Sequence, residues 1–172
     1  ENDFLVISTS IFGEFEKINE KFLQVFKKIE ENEEQIISIL VDNSFLEAVF
    51  FRNTRAKLVN QFDKIYIFDL HGNQKATEIS PNGELEGNIL DKKEGVALLL
   101  CIKKEGVEKS VKTFDIFGQK EEKLEFLTQN DYQNIDWQSL QPKTPNFAFK
   151  DYSLESIYKK GYPIDKIFKQ KE

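Results

Sequence analysis

Asp69 and His71 are the residues of this chain whose types and spacing most clearly suit a chemical role. They belong to the segment Asp-Leu-His-Gly-Asn that ends at Asn73. His71 is the only histidine among the 172 residues. The segment follows an apolar run of the kind that forms a strand and then ends in a turn. Either the two side chains are ligands of a metal ion, or they serve the geometry of the corner after the strand.

The metal interpretation requires more ligands than the sequence offers. The segment resembles the opening motif of binuclear metallophosphoesterases, whose two metal ions lie about 3.5–4 Å apart and activate a bridging water. Such a centre needs further imidazoles and carboxylates, and the chain has no second histidine. We therefore expect no metal site. We interpret Asp69 and Asn73 as corner residues that satisfy backbone groups, and His71 as a loop residue with a locally hydrogen-bonded ring.

Composition indicates one globular domain, with 40% hydrophobic and 31% charged residues. No apolar run reaches the roughly 18 residues of a membrane helix, and the acidic start lacks the basic region of a secretory signal. The lone Cys101 lies in an apolar run, which fits a reducing cytoplasm. The net charge of -6 argues against a broad phosphate-binding surface. The chain contains no methionine, so we expect it to be processed or part of a longer polypeptide.

The first predicted element is an amphipathic helix. Apolar side chains recur at helical spacing from Ile11 to Ile29, with charged residues between them. We expect this helix to occupy residues 1–34 and to bury its aromatic stripe in the core.

A strand, a helix and a second strand are predicted next, and together they have the size of a βαβ unit. Ile36 to Val41 is a continuous apolar run, typical of a strand covered on both faces. Asn43 or Ser44 can cap the helix. One side of that helix should carry Phe51, Arg55, Leu58, Val59 and Phe62. The second strand, residues 64–70, should run parallel to the first after a right-handed crossover.

The later part of the chain is expected to extend this sheet. Residues 71–94 form a polar loop, long enough to be either functional or disordered. The elements expected after it are a strand at 95–103, a turn at Glu105 and Gly106, a strand at 110–117, a helix at 119–128 and short helices within 153–170. Trp137 is interpreted as a packing anchor, with base stacking as the alternative. The lysines of residues 157–171 form either a solvated tail or an approach to DNA.

Four blocks occur in the order and spacing of a known family. They are DNSFLEAVFFRNTRAKLVNQFDKIYIFDLHGN at 42–73, NILDKKEGVALLLCIKK at 88–104, VKTFDIFGQKEEKLEFL at 111–127 and WQSLQPKTPNFAF at 137–149. With these blocks the chain resembles the C-terminal half of the catalytic domain of N6-adenine DNA methyltransferases. The likeness is greatest to the large restriction-modification enzymes called type ISP.

This resemblance implies an S-adenosylmethionine-dependent reaction, but two of its motifs are missing. Such enzymes bind the cofactor with a glycine-rich turn and hold the flipped adenine with an Asn/Asp/Ser-Pro-Pro-Tyr/Phe loop. The four prolines of this chain are isolated, and no glycine-rich turn precedes Ile36. We therefore expect no catalysis and no cofactor binding by the chain alone, and the parent enzyme would supply both through its other half. The alternative is a non-catalytic DNA- or protein-binding module derived from such an enzyme.

The resemblance also implies a fold and a surface. We expect an α/β fold, the later strands of a class I methyltransferase-like (Rossmann-like) sheet, with the strand at 95–103 antiparallel between 36–41 and 64–70. Residues 1–128 would form this partial domain, with the sheet in 35–118, and residues 129–172 a C-terminal extension. Ligands of open α/β sheets gather at the carboxyl ends of the strands. The loop therefore provides the DNA-facing candidates His71, Asn73, Lys75, Lys92 and Lys93. Arg52 and Arg55 are further candidates through a phosphate contact, with surface or inter-element salt bridges as the alternative.

Overall fold

Six strands form one mixed sheet in the computed structural model, which describes residues 5–30 and 34–151. The elements in chain order are β1 (Leu5–Ile11), α1 (Phe15–Glu30), β2 (Gln35–Asp42), α2 (Arg52–Gln61), β3 (Lys64–Asp69), β4 (Val96–Lys103), β5 (Ser110–Asp115), α3 (Lys120–Gln129) and β6 (Gln138–Leu140). The strand order across the sheet is β1-β2-β4-β3-β5-β6. The fold is therefore a mixed α/β sheet with helices on its faces.

The predicted centre of the sheet is confirmed. β4 pairs antiparallel with β2 on one side and with β3 on the other, so β2 and β3 run parallel to each other. Because β4 lies between these two parallel strands, α2 connects strands that are not direct neighbours in the sheet. This insertion brings the loop between β3 and β4 to the carboxyl ends of β2 and β3.

Two expectations about the sheet are corrected. Residues 1–34 are not one helix, because β1 precedes α1 and pairs in parallel with β2. Ile11, expected on the helix, is the last residue of β1 and pairs with Val41 of β2. Its helical spacing from the apolar residues of α1 is accidental. The turn at Glu105 and Gly106 reverses the chain as expected, since β5 runs antiparallel to β4, and β5 then lies in parallel beside β3. The sheet also extends into the predicted C-terminal extension, since β6 pairs with β5.

The start of the second helix also differs from the prediction. Neither Asn43 nor Ser44 caps α2, whose N-cap is Phe51 and makes no side-chain hydrogen bond. The Asp42 carboxylate instead caps a preceding 3-10 turn, where it accepts a hydrogen bond from the backbone N–H of Ser44 at 2.8 Å. Two short 3-10 turns, 43–46 and 49–51, then lead into α2. The helices expected within residues 153–170 lie outside the described residues.

The main core lies between one face of the sheet and the helices α1 and α2. Alternate residues of the inner strands point into it, and the burial of β2 alternates accordingly. Phe22 of α1 stacks on Phe45 with ring centroids 4.8 Å apart. The other large buried members are Phe26, Phe51, Phe62, Ile37, Ile39, Leu99 and Phe149. The predicted apolar side of α2 is confirmed for Phe51, Arg55, Leu58 and Phe62, which are all buried.

A second, smaller core covers the opposite face of the sheet. Phe68 and Val96 are buried there, with Phe126 of α3 and Trp137 packed against them. The Trp137 ring centroid lies 4.8 Å from that of Phe68, and its indole N–H donates to the carbonyl of Tyr132 at 2.7 Å. This confirms the interpretation of Trp137 as a packing anchor. Within residues 5–30 and 34–151, no helix has the length and apolarity needed to cross a membrane.

Candidate functional site

Asp69 ends β3 and organises the corner that follows it. Its Oδ1 accepts hydrogen bonds from the backbone N–H of His71 at 3.1 Å and from the Asn43 side-chain amide at 3.2 Å. His71 adopts the left-handed backbone conformation, with φ 52°, which is uncommon for a residue with a Cβ atom. Asp69 therefore stabilises this backbone and links the carboxyl ends of β2 and β3, as the corner interpretation predicts.

The His71 ring lies buried between two carboxylates. Its Nδ1 is 2.7 Å from Glu78 Oε1, and its Nε2 is 3.0 Å from Asp115 Oδ1. The ring also stacks on Phe117, with centroids 4.2 Å apart. A carboxylate only accepts hydrogen bonds, so an imidazole that serves both partners must carry a proton on each nitrogen. The arrangement is therefore a histidinium held by two acids.

The protonation of this pair follows from its surroundings. Burial lowers the pKa of His71, but the hydrogen bonds to Asp115 and Glu78 outweigh it and raise the pKa from 6.5 to about 9. Burial raises the pKa of Glu78, but the bonds from the His71 ring and the Asn73 backbone N–H outweigh it and lower the pKa to about 2. Both groups are therefore charged at neutral pH.

A lysine from the C-terminal segment completes the cluster. Lys150 Nζ lies 3.2 Å from Asp69 Oδ2 and 3.7 Å from Glu47 Oε1. Burial lowers the pKa of Lys150, but the charges of Asp69 and Glu47 outweigh it, so the pKa is raised. The cluster thus brings four acids, Glu47, Asp69, Glu78 and Asp115, together with two cations.

Sequence reasoning missed Asp115, Glu78 and Lys150 as partners in this cluster. A signal existed for Asp115, because it ends a predicted strand, and strands parallel to β3 bring their carboxyl ends to the same edge. In the structure Asp69 and Asp115 are indeed register partners. Glu78 and Lys150 reach the site from irregular segments, for which the sequence carries no equivalent signal.

The cluster is an ion-pair network rather than a ready metal centre. One ligand atom each of Asp69, His71 and Asp115 lies within 4.8 Å of the others. A protonated imidazole has no lone pair for a metal ion, and Lys150 already places a positive charge beside Asp69. The cavity next to these acids has a volume of about 20 Å³, enough for about one water. The cluster therefore fixes the corner in position.

The histidinium predicts a pH-dependent stability. The folded pKa of His71 lies above the unfolded value, so its contribution is complete below pH 6.5 and is lost as the pH rises to about 9. The difference between the folded and unfolded pKa of His71 corresponds to about 3 kcal/mol of stability at 1.36 kcal/mol per pKa unit. This free energy belongs to the His71–Glu78 pair and is not added again for Glu78. On the acid side, the contribution of Glu78 is lost as the pH falls from 4.5 to about 2. Urea unfolding at pH 6.5 and at pH 9 measures the alkaline loss.

The matched variant is His71→Asn, because asparagine tolerates the left-handed backbone. We expect it to be less stable than the wild type at pH 6.5 and nearly equal at pH 9. A difference between the two proteins that does not change with pH would show that His71 is not charged in the folded state.

A second buried ion pair holds the long loop, residues 71–94, to α3. Lys123 and Glu86 are both completely buried, with Lys123 Nζ 2.6 Å from Glu86 Oε2. The same ammonium donates to the carbonyls of Leu70 at 2.7 Å and Gly87 at 2.8 Å. Gly72 packs so closely on Gly87 that a Cβ at Gly72 would lie 2.6 Å from the Gly87 carbonyl oxygen. The loop is therefore a packed part of the fold.

The structure corrects the expectation that Arg55 faces DNA. Arg55 is completely buried. Its guanidinium donates to the carbonyls of Phe45 and Ala48, at 2.7 and 2.9 Å, and to those of Asn146 and Phe147, at 2.6 and 2.9 Å. It ties the turn before α2 to the C-terminal segment, and it presents no surface to a phosphate.

The other six DNA-facing candidates divide into two groups. His71 is buried in its ion pair, and Asn73 Oδ1 accepts the backbone N–H of Ala76 at 3.2 Å. Lys75 is exposed but pairs with Glu94 at 2.5 Å. The second group is Lys92, Lys93 and Arg52. These three side chains are exposed, and none of them forms an ion pair within residues 5–30 and 34–151. Lys92 Nζ lies 4.6 Å from the ring centroid of Phe12, just beyond β1.

The same fold occurs in parts of much larger proteins of known structure. One match is the type ISP restriction-modification enzyme LlaGI, solved as a nuclease-deletion mutant with a DNA substrate mimic, with TM-score 0.64, 21% identity and 79% of this chain covered. Another is the ATP-dependent type ISP enzyme LlaBIII bound to DNA, with TM-score 0.64, 18% identity and 88% covered. A DrdV–DNA complex matches with TM-score 0.60, 24% identity and 74% covered.

These matches establish a shared fold over a small part of each protein. The chain spans only between 12% and 14% of the length of the matched chains. No protein-family model and no curated protein matches the sequence.

Proposed function

We propose that this chain is part of a cytoplasmic S-adenosylmethionine-dependent DNA adenine-N6 methyltransferase of a type ISP restriction-modification system. In it the chain supplies sheet scaffold and part of the DNA-facing rim, and it is not catalytic alone. The observation that carries the proposal is β4, which lies antiparallel between the parallel strands β2 and β3. The resemblance to the methyltransferases implies this arrangement, which a plain parallel α/β sheet does not have.

The likeness to LlaGI and LlaBIII adds support. Both were solved with DNA or a DNA mimic, and both are restriction-modification enzymes. The sequence blocks and the fold therefore point to the same class by separate routes. The rest of such an enzyme, including the other half of its methyltransferase domain, would be the partner of this chain.

The described residues do not fit the cofactor. A glycine-rich cofactor turn needs glycines whose missing side chains leave room for a ligand. At Gly72 the space for a Cβ is filled by the Gly87 backbone, and at Gly118 by the Glu122 carboxylate. Gly13, Gly83 and Gly106 have open space around them, but each stands in a separate turn with no second glycine beside it. Cofactor binding and methyl transfer would therefore belong to the remainder of the enzyme.

The same observation favours a second candidate function, a non-catalytic DNA- or protein-binding module descended from such an enzyme. The two candidates differ in what a parent gene would encode. The enzyme requires a glycine-rich turn and an Asn/Asp-Pro-Pro-Tyr motif in the same reading frame, upstream of Glu1. A parent gene without both motifs would support the module.

The rim hypothesis predicts that Lys92 and Lys93 contact DNA phosphates. Changing both to glutamate should weaken duplex binding at least about tenfold and lower the slope of log affinity against log salt by about 2, since each lost contact removes about 0.9. Fluorescence anisotropy at low ionic strength measures both quantities. The control pair is Lys103, the last residue of β4, and Lys104 after it, which lie at the opposite end of the strands from the loop. Equal effects from both pairs would remove the loop from the interface.

A further inference from the structure

A short hairpin, residues 78–86, lies within the long loop. Its two ends are Glu78 and Glu86, the acids that pair with His71 and Lys123, and the backbone N–H of Glu86 donates to the carbonyl of Glu78 at 3.0 Å. The tip of the hairpin, residues 81–83, is exposed. The hairpin is therefore fixed at its base and open to water at its tip.

The tip contains the one Asn-Gly step of the sequence, formed by Asn82 and Gly83. A Cβ atom added at Gly83 would meet nothing within 4 Å, so the space beside this residue is open. Asn134 is also exposed, but the residue after it is Ile135, whose branched side chain crowds its own backbone nitrogen. Asn82 therefore differs from the other asparagines in the accessibility of the next backbone nitrogen.

Hydrogen bonds hold the Asn82 side chain over its own peptide bond. Its Oδ1 accepts from the Ser80 hydroxyl and from the backbone N–H of Glu84 at 3.2 Å. A side chain that bonds the N–H two residues later folds back over the intervening peptide, so Cγ of Asn82 lies beside the nitrogen of Gly83. The N–H of Gly83 donates to the Ser80 carbonyl at 2.9 Å. This bond at the exposed tip has to open before the nitrogen can react, and such local opening requires little free energy.

We propose that Asn82 and Gly83 form a self-modification site, at which the chain converts its own side-chain amide into an acid with water as the co-reactant. The Gly83 nitrogen attacks Cγ of Asn82 and forms a cyclic imide. The bond from Cγ to Nδ2 breaks, and the amide nitrogen leaves as ammonia together with the proton of the Gly83 nitrogen. Water then opens the ring. Opening at Cγ gives aspartate, and opening at the backbone carbonyl carbon of residue 82 gives isoaspartate.

The product should loosen the tip of the hairpin. Asn82 Nδ2 donates to Glu84 Oε2 at 3.3 Å, and an acid at this position replaces the donor with a second negative charge. Isoaspartate also lengthens the main chain by a methylene group, which shifts the pairing of the two arms. The ion pairs of Glu78 and Glu86 still hold the base, so the change is confined to the tip. DNA takes no part in the reaction, which is therefore independent of the proposed function.

Incubation of the intact chain at mildly alkaline pH, in ordinary water and in water enriched in heavy oxygen, tests the proposal. Peptide mapping by mass spectrometry should show that the peptide containing residue 82 loses its amide, gains an oxygen atom from the solvent and separates into aspartate and isoaspartate forms. Asn134 is the control within the same sample and should react at least about tenfold more slowly, which corresponds to a barrier about 1.4 kcal/mol higher. An unchanged Asn82, or equal loss at both positions, would overturn the proposal.

A variant with a longer side chain tests the attacking atom. Asn82→Gln keeps an exposed amide but requires a larger ring for the same attack, so it should also react at least about tenfold more slowly. Thermal melting shows whether this variant is folded. If it reacts as fast as the wild type, or if the wild type yields aspartate without isoaspartate, water hydrolyses the amide directly and the attack by Gly83 is wrong.

The loosening of the tip is tested by Asn82→Asp, which reproduces one of the two products. Hydrogen exchange at the backbone N–H groups of Gly83 and Glu84 should be faster in this variant than in the wild type, while exchange at Glu86 stays the same. Unchanged exchange at the tip would contradict the expected effect of the modification.

Discussion

Arg55→Ala is expected to lower the free energy of unfolding by about 3–5 kcal/mol, because it leaves several buried carbonyl groups without a donor. The guanidinium bonds the carbonyls of Phe45, Ala48, Asn146 and Phe147. Lysine cannot replace it, since a single ammonium cannot reproduce the planar set of donors. Arg55→Lys should therefore recover only part of the loss. Urea unfolding of the intact chain measures the effect.

Arg52 provides the control for this prediction. It lies one turn earlier on the same helix, but its side chain is exposed. Arg52→Ala should change the free energy of unfolding by no more than about 0.5 kcal/mol. Similar losses at the two positions would mean that the carbonyl bonds of Arg55 do not determine the stability of this corner.

Lys123→Met is the second substitution with a large expected effect, again about 3–5 kcal/mol, because it leaves the carboxylate of Glu86 buried without its cation. Glu86 would keep the backbone N–H of Gly118, which lies 3.2 Å from each of its oxygens. One amide cannot neutralise a buried charge. The double variant Glu86→Gln with Lys123→Met removes both charges and should recover much of the stability.

The control for the buried pair is Lys120→Ala. Lys120 pairs with Asp91 at the surface, where the Asp91 side chain is 73% exposed. Exposed pairs contribute no more than about 1 kcal/mol, so this variant should remain close to the wild type. A double variant as unstable as Lys123→Met alone would show that lost packing, rather than the unpaired carboxylate, causes the damage.

Features that depend on residues close together in the sequence could be predicted, whereas features that depend on distant residues could not. β2, β3 and β4 were predictable because each is a continuous apolar run of strand length. β1 was not, since Ile11 continues the spacing of α1 by chance, and only pairing with β2 separates strand from helix. β5 pairs with β3 because one side of β3 is still unpaired once β4 lies on its other side. The residues of the turn between β4 and β5 do not indicate this position.

The candidate site shows the same division. Asp69 accepts from the backbone N–H of His71, and Asn73 from that of Ala76, so the local part of the corner was predictable. The contacts of Asp69 with Asn43 and Lys150 were not, because these residues are distant in sequence. The charge state of His71 was not, because it depends on Asp115, which lies 44 positions later. Arg55 carried a signal for burial that neither the salt-bridge nor the DNA interpretation used. It shares a helical face with Phe51 and Leu58, and a cation on an apolar face is more consistent with burial than with an exposed phosphate contact.

The span bridged by Arg55 also determines when this domain can finish folding. Two of its acceptors, Asn146 and Phe147, lie 91 and 92 positions after it. On the ribosome, α2 emerges before those carbonyls exist, so until residues 146 and 147 are synthesised only the bonds to Phe45 and Ala48 are available to its arginine. Contacts over such distances slow folding, because the loop between them must close first. This corner of the domain can therefore be completed only after residues 146 and 147 have been synthesised.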